Sequence, residues 1–348
     1  MKIISTSGYG ASGSSAVYDF VRQFNEVNCF SGSEEFQFIR MPDGIMDLKH
    51  FLTDGSGMIA CNNAIIRFEK AMKKGFFAEN CRGVLGKKYD DIIDNYLSKI
   101  IQVKWKGKSI FDPSDITIRK ENVFFRKIDN KIESALRKTV NKEAHFPAIK
   151  ERYFSMMSEN EFNKITKEFV EEFIYAFPGI KSEKPLLIDQ IFPATDSQKG
   201  TEFFDETKVI IVNRDPRCMY VGAHRSITEN AFMPCDNVEN FVKYYRALCE
   251  NEVRSDKALY VNYDELIFDY YNTTQKIIDY LGFDKRPENE FKHFNPNVSV
   301  TYTLPMLTCY DKKDVEYIEK ELGDYLYDFP EYKKIEKADE LYEEHGIQ

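Results

Sequence analysis

The sequence predicts an α/β fold: a parallel sheet covered by helices, interrupted by a long helical insertion. Three observations predict it. The chain opens with a short apolar run, residues 2–7, that passes through a glycine- and serine-rich loop into a helical pattern. Compact β-branched runs return at 185–191, 208–213 and 258–262, with helical spacing alternating with them. Between these two regions, from about 60 to 180, the apolar spacing is helical throughout.

Taken in order, residues 2–7 read as a buried strand, and Ala16, Val17, Phe20, Val21 and Phe24 recur at helical spacing after the loop. A second short strand is expected at 28–30, followed by Glu34-Glu35-Phe36-Gln37-Phe38. The insertion should hold helices at 62–77, 87–104 and 159–177. A further one is expected where Val123, Phe124, Ile128, Ile132, Leu136 and Val140 form an apolar stripe with basic residues opposite. Helices at about 216–226, 236–254 and 270–281 then alternate with the returning strands, which gives βα units and a parallel sheet. An acidic amphipathic helix begins at Lys312. No strong linker flanks the insertion, so the expectation is one domain over 1–348 with an insertion at approximately 60–180.

Composition narrows the class. Of 348 residues, 43% are hydrophobic and 30% charged, a globular balance. No apolar run approaches the ~20 residues needed to span a bilayer. Seven scattered cysteines without CxxC spacing fit reduced thiols in a cytoplasmic protein. The dispersed histidines suggest no metal site. A net charge of −9 argues against a nucleic-acid binder. The charge is uneven: residues 101–150 hold twelve Lys/Arg against six Asp/Glu, whereas 311–348 hold thirteen acids against six lysines.

The loop Gly8-Tyr9-Gly10-Ala11-Ser12-Gly13-Ser14-Ser15 carries the first chemistry. Gly8 and Gly13 stand five apart, as in GxxxxGK[ST], but Ser14 occupies the lysine position. Such a loop offers backbone N–H groups and a helix N-terminus to an anion, with serine hydroxyls as further donors. Without the lysine, a nucleotide triphosphatase lacks the charge that reaches the β- and γ-phosphates. A second candidate, Asn213-Arg214-Asp215-Pro216-Arg217, follows a strand, which places the Arg214 fork at a strand's C-terminal edge.

These two motifs together resemble the PAPS-dependent sulfotransferases, where PAPS is 3′-phosphoadenosine 5′-phosphosulfate. Gly8–Ser15 is similar to the family's 5′-phosphosulfate loop, and Arg214-Asp215-Pro216-Arg217 to its 3′-phosphate motif. The resemblance covers residues 1–45 and 185–300 and implies a three-layer parallel sheet of P-loop type. It implies donor contacts from Gly10, Ala11, Ser12, Gly13, Ser14, Ser15 and Arg214, and a place near the adenine for Tyr263. Glu35, in a segment resembling that of the glycan-type members, is the expected base, with Glu34 as alternate. The implied partners are PAPS or its product PAP and a hydroxyl-bearing acceptor, a carbohydrate first and a sterol or other hydrophobic alcohol second. No metal is implied. The chain departs from the family at Ala11 and Gln190, where cations are usual, at Cys218 and at Gly222. The missing cation is expected from the basic segment 101–150, from Arg217 or from Arg225, while His224, Arg225 and Ser226 are expected to compensate in part at the 3′-phosphate. The rival readings are a small-molecule kinase, with 186–189 as a Walker B strand, a nucleotide binder without catalysis, and a tight turn that binds nothing.

Overall fold

In the computed structural model the first strand, β1 (Lys2–Gly8), is buried along its interior, from Ile3 to Ser7. A strand with three hydroxyl residues can be central because those hydroxyls are bonded inside. Thr6 Oγ1 donates to Asp189 at 2.8 Å, and the Ser5 and Ser7 oxygens lie 3.3 Å apart. The structure describes residues 1–30, 35–55, 57–108, 149–181, 183–225, 233–300, 303 and 312–330. By contacts the chain forms two compact units, one of Met1–Ile39 with Pro178–Gln348 and one of Arg40–Phe177.

The first unit holds a five-stranded parallel sheet flanked by helices. It comprises β1, α1 (Ser14–Val21), β2 (Asn28–Cys29), then β5 (Leu186–Asp189), β6 (Glu206–Asn213), α7 (Pro216–Arg225), α8 (Val238–Glu250), β7 (Ala258–Asn262), α9 (Tyr263–Phe268), α10 (Tyr270–Leu281) and α11 (Lys312–Glu321). Strand order is β2-β5-β1-β6-β7. β1 pairs with β5 at Ile3↔Leu186 and with β6 at Gly8↔Val212, all parallel. The chain therefore leaves β1 towards one side of the sheet and returns on the other. That places a topological switch point between the C-terminal ends of β1 and β6, where open α/β sheets bind ligands.

α1 turns Val17, Phe20 and Val21 onto Ile4, Leu187, Ile210, Val212 and Val261, and this cluster fixes the loop's exit. Phe20 is fully buried, a contribution of about 1.5–3 kcal/mol. A second cluster joins Met219, Tyr220, Phe241 and Tyr245 to Ile318 of α11 and to Leu322 just after it.

The second unit contains α2 (Ile45–Thr53), α3 (Met58–Lys73), α4 (Phe76–Leu85), α5 (Lys87–Ile100), β3 (Val103–Lys108), β4 (Ile149–Phe154) and α6 (Glu159–Tyr175). Two expectations need correction. The helix expected over 62–77 stops at Lys73 because Lys74 is extended (φ −133°, ψ 137°). The helix expected over 87–104 stops at Ile100. From Val103 the sequence alternates Val-Lys-Trp-Lys, a period of two, and pairs antiparallel with β4 from Val103↔Phe154 to Lys108↔Ile149. The apolar stripe expected at 123–140 lies outside the described residues, as does most of the basic segment.

Candidate anion-binding site

The loop between β1 and α1 is shaped by two left-handed residues. Ala11 has φ 58° and Gly13 φ 83°, with Ser12 between them donating its N–H to Tyr9 O at 3.0 Å. Alternation of this kind turns successive N–H groups towards one side, the geometry of an anion nest. Gly13 is also the N-cap of α1, and with no side chain it cannot cap the helix. The first N–H groups of α1 thus face outward without an intrahelical acceptor, at the positive end of the helix dipole. Glycine is required at 13 for a further reason: a Cβ there would stand 2.3 Å from Tyr263 Cδ2.

The three serines have different duties. Ser12 is buried, and its Oγ has no hydrogen-bond partner; it fills the space that a Cβ on Gly8 would need, 2.1 Å from it. Ser14 Oγ accepts from Gln190 Nε2 at 2.7 Å, so its own proton remains available to a ligand. Ser15 Oγ donates to Asp189 Oδ2 at 3.2 Å, which ties the helix start to the end of β5. Gln190 adopts φ 59° and donates its N–H to Thr6 O at 2.8 Å. The Gln190 side chain is thus a neutral amide that orients Ser14.

Arg214 ends the strand next door. Its Nη1 donates to Ala11 O at 3.3 Å, and its guanidinium carbon lies 4.5 Å from the centre of the Tyr263 ring. Tyr263 opens α9, whose start is capped by the Asn262 side chain accepting from Asp264 N and Glu265 N. The ring therefore packs on Gly13 on one side and lies beneath the Arg214 guanidinium, a cation–π contact. The resemblance implied a place near the adenine for Tyr263; what the structure shows is a ring that supports the loop and the arginine.

Behind Arg214 lies a buried charge cluster. Asp215, fully buried, accepts from Arg217 N at 2.8 Å, Nε at 3.0 Å and Nη2 at 2.8 Å, and donates its own N–H to Asp264 Oδ2 at 2.8 Å. Asp264 is buried as well, and its Oδ1 has no hydrogen-bond partner. Burial pushes its carboxyl up to about 6, against the pull of the nearby Arg214 charge. Burial likewise pushes the Cys218 thiol up, towards its neutral form. Arg217 also donates to Glu319 at 2.8 Å, and its charge is taken by these two carboxylates. His224 Nδ1 sits 2.6 Å from Cys235 O and its ring stacks on Tyr220.

Glu35 lies six residues beyond the end of β2, exposed to solvent, with Gln37 Nε2 donating to it. The Phe30 and Phe36 rings stack at 4.0 Å around it in sequence. Glu34, Ser226 and the side chain of Arg225 lie outside what the structure describes. The structure brings together Gly13, Ser14, Arg214 and Tyr263, with Ala11 as an acceptor for Arg214. The roles of Asp189, Gln190, Asp264 and Asp215 were missed. The only local signal for them was position, each standing at or just after a strand end.

No family model matches the chain, and no curated protein matches it. Among solved structures it is similar to the sulfotransferase domain of the Synechococcus PCC 7002 olefin synthase, at 12% identity and a TM-score of 0.39, covering 100% of this chain and 95% of that one. It is also similar to the sulfotransferase domain from the curacin biosynthetic pathway, at 8% identity and a TM-score of 0.36, covering 100% and 98%. Among the described residues no helix is long and apolar enough to cross a membrane.

Proposed function

We propose that this chain is a sulfotransferase that moves a sulfuryl group from PAPS to an acceptor hydroxyl. One observation carries the reading: two anion-binding devices meet at the C-terminal ends of paired strands. The uncapped start of α1 follows β1, and Arg214 follows β6, within 3.3 Å of the loop carbonyl at Ala11. A donor with phosphates at both its 5′ and 3′ positions suits two such devices; one with a single phosphate group needs only the first.

In this reaction the acceptor oxygen attacks sulfur in line, the bond from sulfur to the 5′-phosphate oxygen breaks, and the acceptor proton passes to Glu35. Charge developing on the leaving phosphate meets the N–H groups of residues 13–15 and the Ser14 hydroxyl proton, which Gln190 leaves free for it. Arg214 grips the 3′-phosphate, a monoester that matches its fork. A carbohydrate is the acceptor favoured by the Glu35 segment, and a hydrophobic alcohol is the alternative.

A second reading, a P-loop phosphotransferase, is favoured by the contact of Ser15 with Asp189. A loop hydroxyl and a strand-end aspartate are the groups that hold magnesium in such enzymes. Ser14 in the lysine position counts against it. Thermal denaturation with PAP, AMP and ATP, each with and without magnesium, separates the two. PAP should stabilise most, by about 2.7 kcal/mol at one hundred times its dissociation constant, independently of magnesium. Arg214→Ala should erase the preference for PAP over AMP. A larger, magnesium-dependent shift with ATP would transfer the assignment to the second reading.

A further inference from the structure

The C-terminal segment is built into the same turn. Asp215, beside Arg214, receives the N–H of Tyr327 at 2.8 Å on Oδ2. Arg217 returns the contact, with Nη2 donating to Tyr327 O at 2.9 Å while Nη1 holds Glu319 of α11 at 2.8 Å. Its guanidinium carbon also stands 5.4 Å from the centre of the Phe329 ring. Further along, Arg246 donates to Glu321 O at 2.7 Å and Tyr220 OH to Asp314 at 3.1 Å. Ile318 and Leu322 are buried against α7 and α8. A ten-residue helix is marginal by itself in water, so α11 is formed by these contacts and not before them.

From this geometry we propose that residues 312–329 act as a strap that positions Arg214 for its anion. The coupling runs through two residues that do not touch the anion themselves. Tyr327 and Arg217 saturate the Asp215 carboxylate, and the Asp215 N–H is fixed from the other side by Asp264. The peptide joining Arg214 to Asp215 is therefore held on both flanks. Tyr245 OH adds a third hold, on Arg214 O at 3.4 Å. Releasing the strap removes one of the four hydrogen bonds on the Asp215 carboxylate and the Glu319 hold on Arg217, which loosens the backbone direction that keeps the Arg214 side chain over Tyr263 and against the loop. The acidic surplus of the C-terminal region then has a structural use, because Glu319 and Asp314 are the carboxylates that dock it on α7.

The inference rests on the donor reading only for the identity of the anion. Two variants test it. Arg217→Met keeps the apolar stem and removes every side-chain tie, leaving only the backbone N–H on Asp215. Tyr327→Pro removes the N–H, together with the ring that packs on Phe268 and Phe329, and leaves the buried Asp215–Arg217 pair intact, which guards against simple misfolding. Hydrogen exchange of residues 312–330 in the ligand-free protein reads docking of the strap. Titration with PAP, AMP and inorganic phosphate reads the Arg214 site. Both variants should speed exchange in the strap and weaken PAP on the order of tenfold, with AMP little changed, as expected for coupling inside one hydrogen-bond network. Faster exchange with PAP binding unaltered overturns the proposal, and so does unaltered exchange in both variants. If the wild type shows no preference for PAP over AMP, the donor reading is what fails. Inorganic phosphate then becomes the probe, and equal phosphate binding by wild type and variants overturns the strap. If phosphate does not bind the wild type either, both ideas fall.

Discussion

Asp264 is a carboxyl whose surroundings favour its neutral form. It is buried, one oxygen has no partner, and its carboxyl sits at about 6 where 3.8 is ordinary. A folded value above the unfolded one means that the native state holds the proton more tightly. The associated stability is present below about pH 4 and is lost as pH rises through about 6. Two units correspond to about 3 kcal/mol. Asp264→Asn keeps an oxygen to accept the Asp215 N–H and removes the titration. Measured by chemical denaturation, the variant should gain about that much on the wild type between pH 4 and pH 7. A gap that is the same at both pH values would show an unperturbed carboxyl. The proposed base is read differently, because Glu35 is exposed and its role concerns the reaction, not the fold. Glu35→Gln keeps shape and removes basicity, so turnover should fall roughly 10²–10⁴-fold with PAP affinity unchanged. Equal turnover in the two proteins would remove Glu35 from the mechanism.

At the level of elements, what could be read from the sequence follows how local the signal is. β1, β6 and β7 declare themselves as short β-branched runs, and Ala258–Asn262 is bounded as expected because Asn262 both ends the strand and caps the next helix. That next helix, α9, was missed: six residues are too few to show a period. β3 was absorbed into the preceding helix because only two residues separate them, Ile101 and Gln102, and the alternation begins after that. The loop and the arginine were legible for the same reason, each being a contiguous motif beside a strand. Their supports were not. Thr6 meets Asp189 across 183 positions, Ser15 meets it across 174, and Tyr327 meets Asp215 across 112. No local pattern encodes those pairs; they exist because the β1–β5 register sets Thr6 opposite Asp189 and because α11 packs on α7. Arg217, one of the residues expected to supply a cation, is likewise held by partners no local pattern shows together: Asp215, two positions before it, and Glu319, 102 positions after it.

At the scale of the whole molecule, each unit has a core of its own. In Arg40–Phe177, Tyr89, Tyr96, Phe162, Phe169 and Phe173 are fully buried, with Tyr96 stacked on Phe169 at 4.1 Å and its hydroxyl 2.8 Å from Thr166 Oγ1. In the other unit the sheet is closed over by α1 and α10. Separate cores permit separate melting, because cooperativity belongs to a packed core and not to a chain. Every group assigned to the donor, from Gly10 to Ser15 with Arg214 and Tyr263, belongs to the first unit. Scanning calorimetry should therefore show two transitions, and PAP at one hundred times its dissociation constant should raise only one of them, by roughly 5–10 °C for a unit of this size. Residues 40–177 expressed alone should melt cooperatively at the temperature of the transition that PAP leaves in place. Arg214→Ala should shrink the shift to that given by AMP. A single transition that moves as a whole with PAP would mean that the two cores unfold together, and the contact-defined units would then have no thermodynamic counterpart.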